Sequence, residues 1–254
     1  MLSHNQAKLL TALQVKKYRQ KYSKFVVEGD KMVAELLAQT RISVSTLFAT
    51  PAWLEQHTGR HIFPEQTYPV SESEMKKIST LSTPSPVLAI AHLPSADDTL
   101  QHSPTLLGHN LCFYLDGLQD PGNVGTILRI ADWFGWGAVF CSPDCADVYS
   151  PKVVQASMGA VLRMPTAEVD LPALLRTAPD TPLLGAVLGG DSVFEKNYPP
   201  HGLLLIGNEG RGLSSQSEAL LTRRITIPRH PHSQTESLNA AVAAGILAAL
   251  LTKV

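Results

Sequence analysis

Apolar and polar positions follow two rhythms along the chain. In the second half, short apolar runs suited to buried strands (111–115, 138–141, 183–187 and 203–206) are separated by helix-spaced stretches at about 124–134 and 151–158. Strands alternating with helices predict a mainly parallel sheet covered by helices on both faces. The run 203–206 breaks directly into a turn, GNEGRG, whose glycines Gly207, Gly210 and Gly212 allow left-handed backbone and close approach to a ligand. Asn208, Glu209 and Arg211 add an amide, a carboxylate and a guanidinium to that loop. A second short strand, 224–227, stops at Pro228, and Ser233 with Glu236 has the spacing of a capping box ahead of an alanine-rich helix at 240–251. At twelve residues that helix is too short for a bilayer, which needs roughly 20, and it reads as a buried helix.

The first third has a different character. Residues 31–39 read as helix, 44–49 as strand, 73–81 as helix and 87–92 as strand, a small α/β unit. Residues 94–108 are polar, with two prolines and no periodicity, which marks a linker. With 254 residues against the roughly 100 to 150 of a common domain, two domains are expected: 1–95, a linker at 96–108, and 109–254.

Composition narrows the chemistry. The formal net charge of −1 makes no global case for nucleic acid, but residues 1–31 hold seven basic side chains against two acidic ones. Lys16, Lys17, Arg19 and Lys21 make this end the expected nucleic-acid footprint, the bland reading being a solvated helix face. Tyr18 and Tyr22 stand among them four residues apart, where they could stack on bases or pack. An odd count of three cysteines argues against a secreted disulfide framework, and the N-terminus lacks a signal-peptide core, so the cytoplasm is the expected compartment and no membrane span is expected. Cys141, Cys145, His230 and His232 lack zinc-site spacing, and no metal is expected. No G-x-G-x-x-G, P-loop lysine, G-x-S-x-G or H-E-x-x-H occurs, which weakens dinucleotide, nucleotide and hydrolase readings.

Three ordered stretches carry a more specific signal. DGLQDPGNVGTILRIADWFG (116–135), then GNEGRGL, then ITIP followed by ESLNAAVAAGI resemble the three motifs of the SpoU (TrmH-like) branch of the SPOUT RNA methyltransferases. NQAKLLTALQVKKYRQKYSKFVVEGDKMVAELL, with Phe25, Glu28 and Gly29, resembles the RNA-binding domain joined to many of them. The resemblance implies ribose 2′-O-methylation of RNA, rRNA before tRNA, with S-adenosylmethionine as cofactor, on a parallel sheet threaded as a deep trefoil knot. It implies a homodimer through the knot region.

Carried over by motif, Arg129 and Asn123 are catalytic, with Glu209, Ser237 and Asn239. Gly207, Asn208, Glu209, Gly210, Ile227, Pro228 and Leu238 line the cofactor site. An unperturbed guanidinium, with a pKa above about 12, is a poor base, so Arg129 is expected to grip a phosphate and stabilise charge on the 2′ oxygen. The third motif departs from the family: Arg229 replaces a methionine, and His230-Pro231-His232 lengthen the loop without its glycine. A catalytically inactive RNA-binding protein on the same fold, and a nucleotide-binding enzyme unrelated to RNA, remain the alternatives.

Overall fold

A computed structural model of the chain describes residues 2–59, 63–195 and 197–252. They form two compact units, one of residues up to Pro94 together with Tyr149–Leu162, the other of Ser95–Val148 and the chain from Arg163 onward.

The first unit opens with α1 (His4–Ala12), α2 (Lys16–Tyr22), β1 (Lys24–Glu28), α3 (Asp30–Ala38) and β2 (Val44–Ala49). There follow α4 (Pro51–His57), β3 (Thr67–Pro69), α5 (Glu72–Ile78) and β4 (Val87–His92). Their strands lie in the order β1-β4-β2-β3, with β4 antiparallel to both neighbours and β2 parallel to β3. Helix starts are written locally. Ser3 with Gln6 and Ser71 with Glu74 close capping boxes, and Thr50 caps α4 ahead of Pro51. Leu10 and Leu13 beside α1, Val26, Phe48 and Ile90 on the sheet, and Met75 on α5 meet in one core. Glu28, at the end of β1, is buried and accepts hydrogen bonds from the Ser79 hydroxyl and from the Thr80 N–H at 3.1 Å, so the loop after α5 is tied to the sheet.

The second unit begins with α6 (Ala96–Gln101) and α7 (Ser103–His109), where a linker is expected from the sequence. The polar residues and prolines there act as helix starts. Ser95 accepts from the Asp98 N–H at 3.3 Å, Asp97 and Asp98 occupy the first turn of α6, and Pro104 opens α7. The chain continues through β5 (Leu111–Asp116), α8 (Pro121–Trp133) and β6 (Val139–Cys141). Then α9 (Pro151–Ser157) and the start of α10 (Ala160–Arg163) belong to the first unit, an excursion that an uninterrupted domain over 109–254 does not anticipate. Val153 and Val154 are buried, α9 packs on β1, and the Phe25 and Tyr149 rings lie 4.9 Å apart. Helical periodicity shows that a face is buried, not which sheet it covers.

The chain returns through β7 (Thr166–Glu168), α11 (Leu171–Thr177), β8 (Leu183–Ser192) and β9 (Gly202–Gly207). It ends in α12 (Ser215–Leu220), β10 (Arg223–Thr226) and α13 (Ala240–Leu251). Six strands pair in the order β10-β8-β9-β5-β6-β7, and every pairing is parallel. Cys112 and Tyr114 of β5 join Leu107 of α7 and Leu174 of α11 in one core, while α8 packs against β5, and α13 against α8 and β9. Every residue of β5 is buried, as expected of a strand covered on both faces. Replacing Glu28 by Ala would leave the Ser79 and Thr80 donors unsatisfied. A loss of about 1–3 kcal/mol in urea unfolding is the expected result.

Candidate active site

The sheet changes direction at β5. From it β6 and β7 run to one side, while β9, β8 and β10 lie on the other. In open parallel sheets such a switch point leaves a crevice outside the carboxyl ends of the two strands. Here Asp116 pairs with Gly207 at those ends, and a cleft is lined by Asp116, Gly117, Asn208, Arg211 and Ser214 among others.

The glycine loop that follows β9 folds back sharply. Asn208 and Gly212 exchange backbone hydrogen bonds of 2.9 and 2.8 Å, and Gly212 has φ of +72°. A side chain at Gly207 would place its Cβ 2.3 Å from the Gly212 carbonyl carbon, so the turn closes only around glycine. The Asn208 Oδ1 accepts from the N–H groups of Gly210 and Arg211 at 3.0 and 3.2 Å, and its Nδ2 donates to the Gly117 carbonyl at 2.9 Å. Asn208 thus builds the loop and holds it to the end of β5. Asp116 holds the returning chain by accepting from the Ser214 N–H at 2.7 Å.

Three residues proposed from the motifs meet through one amide. The Asn123 Nδ2 donates to Glu209 Oε1 at 2.6 Å, and its Oδ1 accepts from the Asn239 Nδ2 at 3.0 Å. Each is held by its own element. Asp120 caps α8 by accepting from the Asn123 N–H at 2.7 Å, and Asn239 caps α13 by accepting from Ala241 and Val242 at 3.0 and 3.2 Å. Glu209 and Asn239 are exposed and Asn123 is half-buried, and Glu209 Oε2 has no hydrogen-bond partner among the described residues.

A match to the description of the SpoU rRNA methylase family extends over residues 110–249, and one to the MRM3-like substrate binding domain over residues 4–89. The chain belongs to the SpoU rRNA methylase family. It is 28% identical over 238 residues to the 23S rRNA (guanosine(2553)-2′-O)-methyltransferase RlmP of Bacillus subtilis, covering 92% of this chain and 91% of that protein. A TrmH-family protein from Porphyromonas gingivalis superposes with a TM-score of 0.85 at 40% identity, covering 99% and 98% of the two chains. The SpoU methyltransferase AviRb of Streptomyces viridochromogenes, in complex with AdoMet, superposes with a TM-score of 0.85 at 26% identity, covering 98% and 97%.

The remaining motif residues are more dispersed. Arg129 is exposed on α8, six residues from Asn123, and its guanidinium has no partner among the described residues. Ile227, Pro228, Ser237 and Leu238 lie in the segment between β10 and α13, which has no helix or strand, and the Ser237 hydroxyl is likewise unpartnered there. The capping box expected at Ser233 and Glu236 is not formed. Ser233 accepts from the Thr235 N–H at 3.3 Å instead, because the helix begins seven residues on, where Asn239 supplies the cap. The departure from the family motif closes on itself through a bond of 3.1 Å from Arg229 to the Thr235 carbonyl.

Of the residues proposed for RNA, Lys17 and Lys21 are exposed and Lys16 is half-buried on α2. Arg19 is 3% exposed and donates to the Leu13 carbonyl at 2.8 Å, so it fixes the α1–α2 turn and is not a surface cation. Helical spacing turns it inward, away from Lys17 and Lys21.

Several positions were not expected from the sequence. Asp116, Asp120 and Ser214 position the loops. The far end of β8 lies beside β10, with Leu188 accepting from the Thr226 hydroxyl at 3.3 Å and Gly190 against the Arg224 backbone, where a Cβ would come within 2.6 Å. The adjacent Gly189 and Gly190 were the available signal of that close approach. Beneath Gly117, the Cys145 thiol is drawn down to about 7 by hydrogen bonds, first from Cys141 and then from Ser142 and the Leu118 and Gly117 N–H groups. Asn239→Ala should remove the α13 cap at a cost of about 1 kcal/mol in urea unfolding, and Asn239→Ser should recover most of it.

Proposed function

We propose that the chain transfers a methyl group from S-adenosylmethionine to a ribose 2′-hydroxyl of rRNA in the cytoplasm. The observation that carries this reading is the Asn123–Glu209–Asn239 array, which draws all three family motifs to one point beside the switch-point crevice. The glycine loop suits a polar cofactor held by main-chain groups, since its own fold leaves no room for a side chain at Gly207. Gly207, Glu209 and Gly210, with Ile227, Pro228 and Leu238 across the segment after β10, hold the cofactor. When bound, S-adenosylmethionine supplies a methyl carbon on a sulfonium, which must meet an oxygen nucleophile in line.

The chain's own residues supply position and charge. Glu209, fixed through one oxygen by Asn123, presents Oε2 to a ribose hydroxyl. Ser237 and Asn239 orient the same ribose from the start of α13. Arg129, exposed and unpaired among the described residues, binds the substrate phosphate as a charge-assisted pair and stabilises charge developing on the 2′ oxygen. Lys16, Lys17 and Lys21 bind RNA phosphates from the first unit, which acts as the substrate-binding domain.

The same reading includes a trefoil threading of the chain after β9 and a homodimer. The threading is supported by the return of residues 208–214 to Asp116 and Gly117. The dimer is supported by Trp133, 84% exposed on α8, and by Val242, Ile246 and Leu250, which form an incompletely covered stripe on α13. Arg129 and Trp133 are four residues apart on one face of α8, so a two-fold pairing there would bring Arg129 to the partner's site.

Calorimetry is expected to detect S-adenosylmethionine binding to the whole chain. Arg129→Ala should keep that heat while lowering methyl transfer to rRNA from cells lacking the protein about 100- to 1,000-fold. No heat at millimolar cofactor, with or without RNA, would leave an inactive RNA-binding fold. Light scattering at micromolar concentration should give about twice the 27.5 kDa of one chain. A single-chain mass with full activity would remove the shared site.

A further inference from the structure

Methyl transfer leaves one feature of α2 unused. The helix reads Lys-Lys-Tyr-Arg-Gln-Lys-Tyr from Lys16 to Tyr22, without an acidic residue, and its one buried side chain is Arg19. Tyr18 and Tyr22, four apart on one face, are 37% and 42% exposed, with ring centroids 6.3 Å apart and planes within 17° of parallel. Neither hydroxyl has a partner among the described residues, and Val15, also exposed, extends the stripe at the helix start. Among the described residues of the first unit, these three are the exposed large apolar side chains apart from Met158. Apart from Met158, the other described aromatic and large aliphatic side chains of the unit are at least partly buried, and these three are left in water, which costs free energy unless something covers them. Lys17 and Lys21 flank the rings, and the Lys21 Nζ stands 5.6 Å from the centre of the Tyr22 ring.

We propose that α2 is a stacking platform for unpaired nucleotides: Tyr18 and Tyr22 stack on bases while Lys17 and Lys21 hold the adjoining phosphates. Flat aromatic faces interleaved with cations on a helix without an acidic residue fit a polyanion that carries flat bases, and fit an acidic or apolar protein helix less well. Bases within a duplex hide their faces in the stack, so such a platform selects RNA with a loop, bulge or end over uninterrupted duplex. The proposal rests on the reading of the chain as an RNA methyltransferase and adds to it the class of RNA secondary structure that is engaged.

The test uses the full chain, fluorescence anisotropy at two salt concentrations, an RNA hairpin with an unpaired loop, and a blunt duplex of the same stem. Tyr18→Ala with Tyr22→Ala should weaken hairpin binding by about 10- to 100-fold while changing duplex binding less than about two-fold. Tyr18→Phe with Tyr22→Phe should bind as the unaltered chain does. Lys17→Ala with Lys21→Ala should weaken both RNAs and flatten the salt dependence. Should the double Ala variant fail to fold, Tyr22→Leu, which keeps apolar bulk without a ring, should still weaken hairpin binding selectively. Unchanged hairpin affinity, or equal loss on hairpin and duplex, would overturn the platform. So would a fall in molecular mass for the Ala variant in light scattering, which would assign the stripe to a protein contact. If the unaltered chain binds neither RNA at either salt concentration, the RNA reading of the whole protein fails; binding that is merely indifferent to the tyrosines fails only the platform.

Discussion

One amide holds the candidate active site together. Asn123 donates to Glu209 on the loop after β9 and accepts from Asn239 at the start of α13, so three segments far apart in the chain share two hydrogen bonds. Its position depends in turn on Asp120, which caps α8 through the Asn123 N–H. Each partner has a second duty: Asn239 caps a helix, and Glu209 belongs to a loop whose shape is set by Asn208. An array whose members are each fixed by their own element loses little freedom when a ligand arrives, which is the condition for effective positioning.

The crevice beside that array follows from topology. Parallel strands present their carboxyl ends on one edge, and reversal of strand order at β5 separates the loops there. The glycine loop fills this place only because Gly207 and Gly212 let the backbone fold onto itself, a conformation no side chain at Gly207 would permit. Asp116 and the Gly117 carbonyl then hold the returning chain. Glycine backbone at Gly117 and Gly212, the polar Asn208 and Ser214, and the charged side chains of Asp116, Asp144 and Arg211 line the crevice. Among the described residues no cluster of His, Cys, Asp or Glu could hold a metal ion.

The two units divide their charged and apolar exposure differently. The first leaves lysines and tyrosines on α2 in water, whereas the second leaves Trp133 and one stripe of α13 uncovered. The alanines of α13 allow close packing, with Ile130 of α8 lying within 3.5 Å of where a Cβ of Gly245 would be. Along the same helix Val242 and Leu250 are exposed and Ile246 is partly so. Nothing in the composition separates these two surfaces, because the net charge of −1 averages over both.

The sequence by itself determined the parallel α/β sheet, its main strands and the family, because apolar periodicity and three spaced motifs are local properties of the chain. It also picked out Asn123, Glu209 and Asn239, although not that they touch. Only the tertiary structure decided that Arg19 is buried while Lys17 and Lys21 are not, since helical phase becomes meaningful once a core lies on one side. Residues 96–108 read as a linker because caps and prolines serve equally to end one helix or begin another, and it took Leu107 packing in the core beside the sheet to choose. The placement of α9 with the first unit was illegible for a related reason: burial of Val153 and Val154 is local, but the surface they bury against is supplied by β1, more than a hundred residues earlier.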